Sequence, residues 1–242
     1  MGYQIDLPLQ DCLDRRQRRR LLMALAAAIA ASPSAYADML SQLTQNDASS
    51  GLKEALERGA AAAVDLLGKT DGFWGNDRVR IPLPDWLQKA EGALRMMGRK
   101  KDVEDLHVGI NRAAEQAVPE AKGLLISAVH SMSVEDAKKV LTGGDNSATQ
   151  YFEAKTRTPL HGRFLPIVTT VTQRIGLAQQ YDALAQKAES IGVLHGDTSI
   201  EQHVTNKALD GLYLMIGDEE KKIRANPAAT GSALLKKVFG AL

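Results

Sequence analysis

The chain has 242 residues, 30 Lys+Arg against 29 Asp+Glu, 44% hydrophobic residues and one cysteine. That length can bury a substantial core. The balanced charge excludes a dedicated nucleic-acid binder, which draws its affinity from excess Lys and Arg. A single thiol excludes a disulfide framework and any multi-thiolate metal or iron–sulfur site. Helix formers dominate, with 34 Ala and 30 Leu against 13 Val, 11 Ile and 12 Thr. No stretch alternates apolar and polar residues as a half-buried strand does, so the predicted fold class is all-α.

The first segment reads as an address. Arg15, Arg16, Arg18, Arg19 and Arg20 precede an apolar run from Leu21 to Ala31. Ser32-Pro33-Ser34 follows, and then Ala35-Tyr36-Ala37, the small-x-small pattern of a signal-peptidase site. The run would span about 16 Å as a helix, too short for a bilayer core of about 30 Å. Residues 1–37 are therefore predicted to be a cleavable signal peptide with its site at Ala35 and Ala37, leaving 38–242 as the mature domain. That domain carries 25 positive and 26 negative charges, and Cys12 leaves with the leader. A thiol-free chain suits an oxidising compartment. The expectation is a soluble periplasmic or otherwise extracytoplasmic protein with no stable transmembrane segment in its mature part.

Helical stripes then follow one another. Leu52, Ala55, Leu56, Gly59, Ala63, Val64 and Leu67 repeat every three to four positions up to Gly68. Residues 69–83 form a loop, where Phe73-Trp74 either plugs the core or makes an exposed lid and Ile81-Pro82-Leu83-Pro84 forces extended backbone. Further stripes run through Trp86–Met97, Val103–Ala117 and Leu124–Met132. Ser133 with Asp136 opens a short helix as a capping box, which Gly143-Gly144 closes. Ser147 with Gln150 has the same spacing, and Thr158-Pro159 reads as a further helix start, ahead of a pattern that runs to Gly176. Leu177–Ile191 is the next stripe. Ser199 with Gln202 opens one that runs to Ile223, and a last stripe holds Leu234, Leu235 and Val238. About nine helices around one core are expected.

Several stretches together carry a resemblance: Val79-Arg80-Ile81-Pro82-Leu83-Pro84, Asn111-Arg112-Ala113-Ala114-Glu115, Gly144 to Thr156, Lys207 to Ile216, and Leu234 to Gly240. In this order, across nearly all of the mature chain, they resemble domain-of-unknown-function family 4197 of Gram-negative bacteria. The resemblance implies an exported, mostly helical protein. It brings no reaction, ligand or catalytic residue.

Chemistry is sparse. His107, His130, His161, His195 and His203 never stand at i,i+3 or i,i+4, and no HExxH, nucleophile elbow, phosphate loop or dinucleotide fingerprint occurs. Hence no metal, cofactor or catalytic residue is assigned. The best candidate for ligand binding is the helix carrying Tyr151, Phe152, Lys155 and Thr156, where an aromatic wall stands beside donors. Helical spacing puts Tyr151 and Lys155 on one face and Phe152 with Thr156 on an adjacent one. The simpler reading has Asp145, Asn146 or Ser147 capping the helix, Tyr151 and Phe152 in the core and Lys155 solvated. Asp210 is expected in an ion pair or at an exposed position, and Asp218-Glu219-Glu220-Lys221-Lys222 as a solvated face. The reading that follows is a non-catalytic binding or interaction module, for a hydrophobic, lipid-like small molecule or an envelope protein. A hydrolase or lyase with a cleft of dispersed residues, and a structural envelope-associated protein, are its alternatives.

Overall fold

The computed structural model describes residues 45–193 and 199–226. The leader, its cleavage site, His195 and the Leu234 stripe lie outside the described residues. Those described belong to one compact unit and contain eight α-helices and one 3-10 turn, with no strand among them. The helices are α1 (Gln45–Leu67), α2 (Asp85–Met96), α3 (Lys100–Ala117), α4 (Ala121–His130), α5 (Val134–Thr142), α6 (Ser147–Arg174), α7 (Leu177–Glu189) and α8 (Ile200–Ala225). The turn Val118–Glu120 joins α3 to α4 and takes Pro119, whose missing N–H is harmless at a helix start.

The expected count of nine thus gives way to eight within the described residues. One reason is α6, a single helix running through both Pro159 and Pro166. Thr158-Pro159 is not a helix start. Each proline frees the carbonyl four residues earlier, at Lys155 and Gly162. All four positions are exposed, so water can satisfy what the ring leaves open.

The centre of the fold is α8. It packs most extensively on α6 and α1, and also on α3. Ile200, Val204, Ala208, Leu209, Leu212, Tyr213, Met215 and Ile216 are all buried, as are Gly211 and Gly217. A helix enclosed on nearly every side belongs to an interior. Gly211 is required by a close approach, since a Cβ there would stand 2.8 Å from Phe73 Cε1. Phe73, fully buried, is thereby seated beneath its loop. Gly176 takes φ +68, the left-handed turn that lets α7 fold back after α6.

Helix starts are fixed in two ways. Ser133 and Asp136 make the predicted reciprocal capping box, and Ser199 accepts the amide of Gln202. The start of α6 differs, because Asn146 provides no side-chain cap. Its orphan amides are taken from across the fold by Glu220 of α8: Ala148 N donates to Oε1 at 3.0 Å and Thr149 N to Oε2 at 2.9 Å. Thr149 Oγ1 adds a third bond at 2.8 Å and Arg224 Nε a fourth at 3.0 Å. Arg224 itself donates to Val140 O and Ser147 Oγ at 2.9 and 2.7 Å, tying the end of α5 into the same knot. Removing a hydrogen-bonded buried carboxylate leaves its donors unmatched. The Glu220→Ala variant is therefore expected to lose about 2–4 kcal/mol of stability, read as a lower urea midpoint at unchanged slope.

Candidate functional site

Between α1 and α2 the chain runs as a strap along α3 and α8, and side chains of α3 hold its backbone. Asn111, fully buried, accepts from Ile81 N at 2.8 Å through Oδ1 and donates to Ile81 O at 3.1 Å and His107 O at 2.9 Å. Its amide so completes the pairing of an extended peptide that has no sheet partner. One helical turn on, Glu115 (4% exposed) accepts the amides of Phe73 and Trp74, both at 3.1 Å. Arg112 supplies its countercharge at 2.8 Å and reaches Asp71 at 2.7 Å. Trp74 is half-buried. His107 meets its ring edge-on at 5.0 Å, and Arg80 lies 5.0 Å from its centroid while donating Nε to Trp74 O at 2.7 Å. The Phe73-Trp74 pair divides accordingly, one ring plugging the core and the other finishing the surface.

Rigid walls leave two grooves on either side of the solvent-facing stripe of α8. That stripe is Lys207, Asp210, Leu214, Asp218 and Lys221, spaced three or four residues apart on one face. On the strap side, a groove of about 190 Å³ lies between residues 78–82 and Lys207, Asp210, Gly211 and Leu214. On the α6 side, one of about 400 Å³ is lined by Gln150, Glu153, Arg157, Asp210, Tyr213 and Asp218, among others. Ion pairs stand along both. Arg157 bridges Glu153 at 2.8 Å and Asp210 at 2.5 Å, Lys207 lies 3.7 Å from Asp210, and Arg78 forms a two-pronged pair with Asp218. Asp210 has 48% of its side chain exposed, in an ion pair at an exposed position as its sequence context suggests.

Tyr213 forms the floor of the wider groove. Burial pushes its phenol up to about 12, so it stays protonated. Thr156 gives its hydroxyl proton to Phe152 O at 2.6 Å, so Tyr213 is the donor in the 2.9 Å bond to Thr156 Oγ1. The hydroxyl pair is a structural brace between α6 and α8.

The four residues proposed from sequence lie on two sides of α6. Phe152 and Thr156 face α8 and are buried, 0% and 2% exposed. Tyr151 and Lys155 lie on another side. Tyr151 donates to Ala128 O at 3.0 Å, and Lys155 stands 5.9 Å from its ring centroid. Burial raises the Tyr151 phenol above its ordinary value, with Asp136 adding to the effect. Of the four, Tyr151 lines a third groove, about 570 Å³, with Asp136, Lys139 and Asp145 along its edges. Among the described residues no three His, Cys, Asp or Glu side chains gather as metal ligands.

Sequence reasoning passed over Glu115, Asn111 and Glu220. Each is a polar residue at a position the helix buries. The signal for Glu220 was present, since it falls four residues beyond Ile216 on the apolar stripe of α8.

Fold and site together define an all-helical domain whose buried polar pegs stiffen a grooved, charge-paired face. The chain belongs to the family described as "Protein of unknown function (DUF4197)", whose model matches residues 42–240. No curated protein and no solved structure matches it. Of the described stretches that carry the family resemblance, the strap, the first part of α6 and the middle of α8 line the two grooves, and the α3 pegs hold the strap from beneath.

Because one Asn111 amide holds both Ile81 N and Ile81 O, with His107 reaching only the carbonyl, Asn111→Ala is expected to raise hydrogen exchange at Val79–Leu83 at least tenfold. The amides of α6 around Phe164 keep their protection, and exchange mass spectrometry reads both.

Proposed function

We propose that this protein is a non-catalytic interaction module acting outside the cytoplasm, and that the α8 stripe with its two flanking grooves is the binding face. The observation carrying this reading is that α8 exposes one narrow stripe, with Leu214 (41% exposed) at its centre and ion pairs on either side. Exposed apolar side chains framed by charge are the anatomy of a small protein-contact surface. The face holds five cations, Arg78, Arg80, Arg157, Lys207 and Lys221, against the carboxylates Glu153, Asp210 and Asp218. Its complement is an acidic segment of an envelope protein that offers an apolar side chain to Leu214.

Support for a polypeptide partner over a lipid-like ligand comes from the packing. The pocket touching Leu52, Leu56, Ala148 and Ile223 measures about 20 Å³, room for about one water. An acyl chain needs a cavity of roughly 300 Å³ or more, and the grooves of that size are open and edged with charge. A hydrolase or lyase draws less support, because the hydroxyls of Tyr151 and Tyr213 are both engaged in bonds within the fold.

The location follows from the leader: an arginine cluster, a short apolar run and a small-x-small site are what export requires. No helix among the described residues is long and apolar enough to cross a membrane. This agrees with a domain released after cleavage at Ala37.

A photo-activated cross-linking residue at position 214 of the full chain, expressed in cells, is expected to give a discrete adduct with an acidic envelope protein. The same residue at Val134 of α5, somewhat more exposed than Leu214, gives none. Equal adducts at both positions, or a stoichiometric lipid on the purified protein by native mass spectrometry, would overturn the reading.

A further inference from the structure

The methionines of the described residues divide sharply by position. Met132 and Met215 are buried, 4% and 5% exposed, whereas the consecutive Met96 and Met97 at the end of α2 stand 87% and 46% exposed. Met96 has nearly twice the exposure of Val134 at 48%, the next large apolar side chain in that respect. Packing therefore does not account for an apolar chain at this position, and its thioether is open to small molecules in solution.

We propose that Met96 and Met97 form a reversible oxidation site whose substrates are hydroperoxides. The proposal is independent of the reading of the α8 face.

The backbone beneath the pair is locked. Arg99 N donates to Leu94 O at 2.9 Å and Gly98 N to Arg95 O at 3.1 Å, with Gly98 at φ +78, which together make the Schellman ending of a helix. The long cations of the turn are drawn onto carboxylates: Arg95 onto Glu91 at 2.7 Å, Arg99 onto Asp102 at 2.7 Å and Lys101 onto Asp105 at 2.5 Å. Neither the backbone bonds nor the ion pairs use a thioether, so the two side chains can change chemically without loosening α2. The only cysteine of the chain, Cys12, belongs to the predicted leader. A thiolate is the stronger sulfur nucleophile, and without one the thioethers are the sulfur centres the domain offers to an oxidant.

The reaction needs no group beyond the hydroperoxide. A sulfur lone pair attacks its terminal oxygen, the O–O bond breaks and an S–O bond forms. Sulfur gives up two electrons. The proton of the transferred oxygen passes to the departing hydroxide or alkoxide, which leaves as water or an alcohol. The reverse step takes two thiols of a reductase, which supply two electrons and two protons, release the oxygen as water and end as a disulfide.

Position decides what the product does to the fold. A sulfoxide oxygen is a polar acceptor, and at the exposed turn water supplies its donors. At Met132 or Met215 the same oxygen would be stranded in the interior, which destabilises a core. The turn can therefore pass between an apolar thioether and a polar sulfoxide while the helices keep their packing, and the oxidised residues stay within reach of a repairing enzyme.

The test treats the purified full chain with hydrogen peroxide and follows each methionine by peptide mass spectrometry. Met96 is expected to gain oxygen roughly tenfold or more faster than Met132 and Met215, with Met97 between them. The urea midpoint of protein oxidised at this pair is expected to match that of untreated protein. The two methionine sulfoxide reductases, one for each epimer, are expected to return both residues to thioethers on the folded protein when supplied with a dithiol. Comparable rates at Met96 and Met215, a midpoint lowered by oxidation of the pair, or sulfoxides repaired only after unfolding in urea would overturn the inference. None of these readouts involves a partner of the α8 face, so the two readings stand or fall separately.

Discussion

A buried carboxylate must be given donors or give up its charge, and this fold uses that requirement twice to fasten distant pieces of chain. Glu220, 7% exposed, collects amides 71 and 72 residues away at the start of α6. Glu115 collects two in the strap, 41 and 42 residues away. Each has an arginine one helical turn off, Arg224 and Arg112, which supplies the countercharge. Such pairs add little net stability compared with apolar residues of the same size, but breaking one is expensive. They act on uniqueness of structure: a start of α6 displaced by one residue, or a strap shifted in register, would strand a charge in the interior.

Everything on the grooved face inherits that rigidity. Gly211 admits the Phe73 ring and so sets how near the strap runs to α8. The Thr156–Tyr213 brace sets the distance between α6 and α8 on the other side. Trp86 and Tyr181, hydrogen-bonded at 2.9 Å with rings at 71°, close α2 onto α7 behind the strap. The stripe from Lys207 to Lys221 is what remains of α8 after these contacts are made.

The sequence was most legible where local rules act alone. Periodicity marks the buried faces of α1, α2 and α3, and the Ser133–Asp136 box works as spacing predicts because both partners lie within one turn. It misled where tertiary structure overrides a local signal. Ser147 has capping-box spacing but gives its hydroxyl to Val140 O at 2.7 Å, because Glu220 already serves the α6 amides. Thr158-Pro159 has the chemistry of a start, yet water at exposed Lys155 can satisfy the carbonyl that Pro159 leaves free. Asp218-Glu219-Glu220-Lys221-Lys222 looks like a uniform solvated run, but helical phase sends Glu220 inward and leaves Lys221 outside. For the candidate site, helical spacing alone separates Tyr151 and Lys155 from Phe152 and Thr156, and α6 carries the two pairs on different sides. That one pair meets α8 and the other lies near α4 depends on which neighbours α6 packs against, and no local pattern encodes that. The α8 face was harder still, because its walls come from three separate segments, the strap, α6 and α8.

The ion pairs of this face bear on its role through their energetics. Exposed pairs such as Arg157 with Glu153 contribute roughly 0–1 kcal/mol to folding, so stability does not account for a row of them beside Leu214. Their effect at a surface is different. Paired side chains are already ordered, which lowers the entropy lost when a partner fixes them, and their field selects partner charge and speeds encounter.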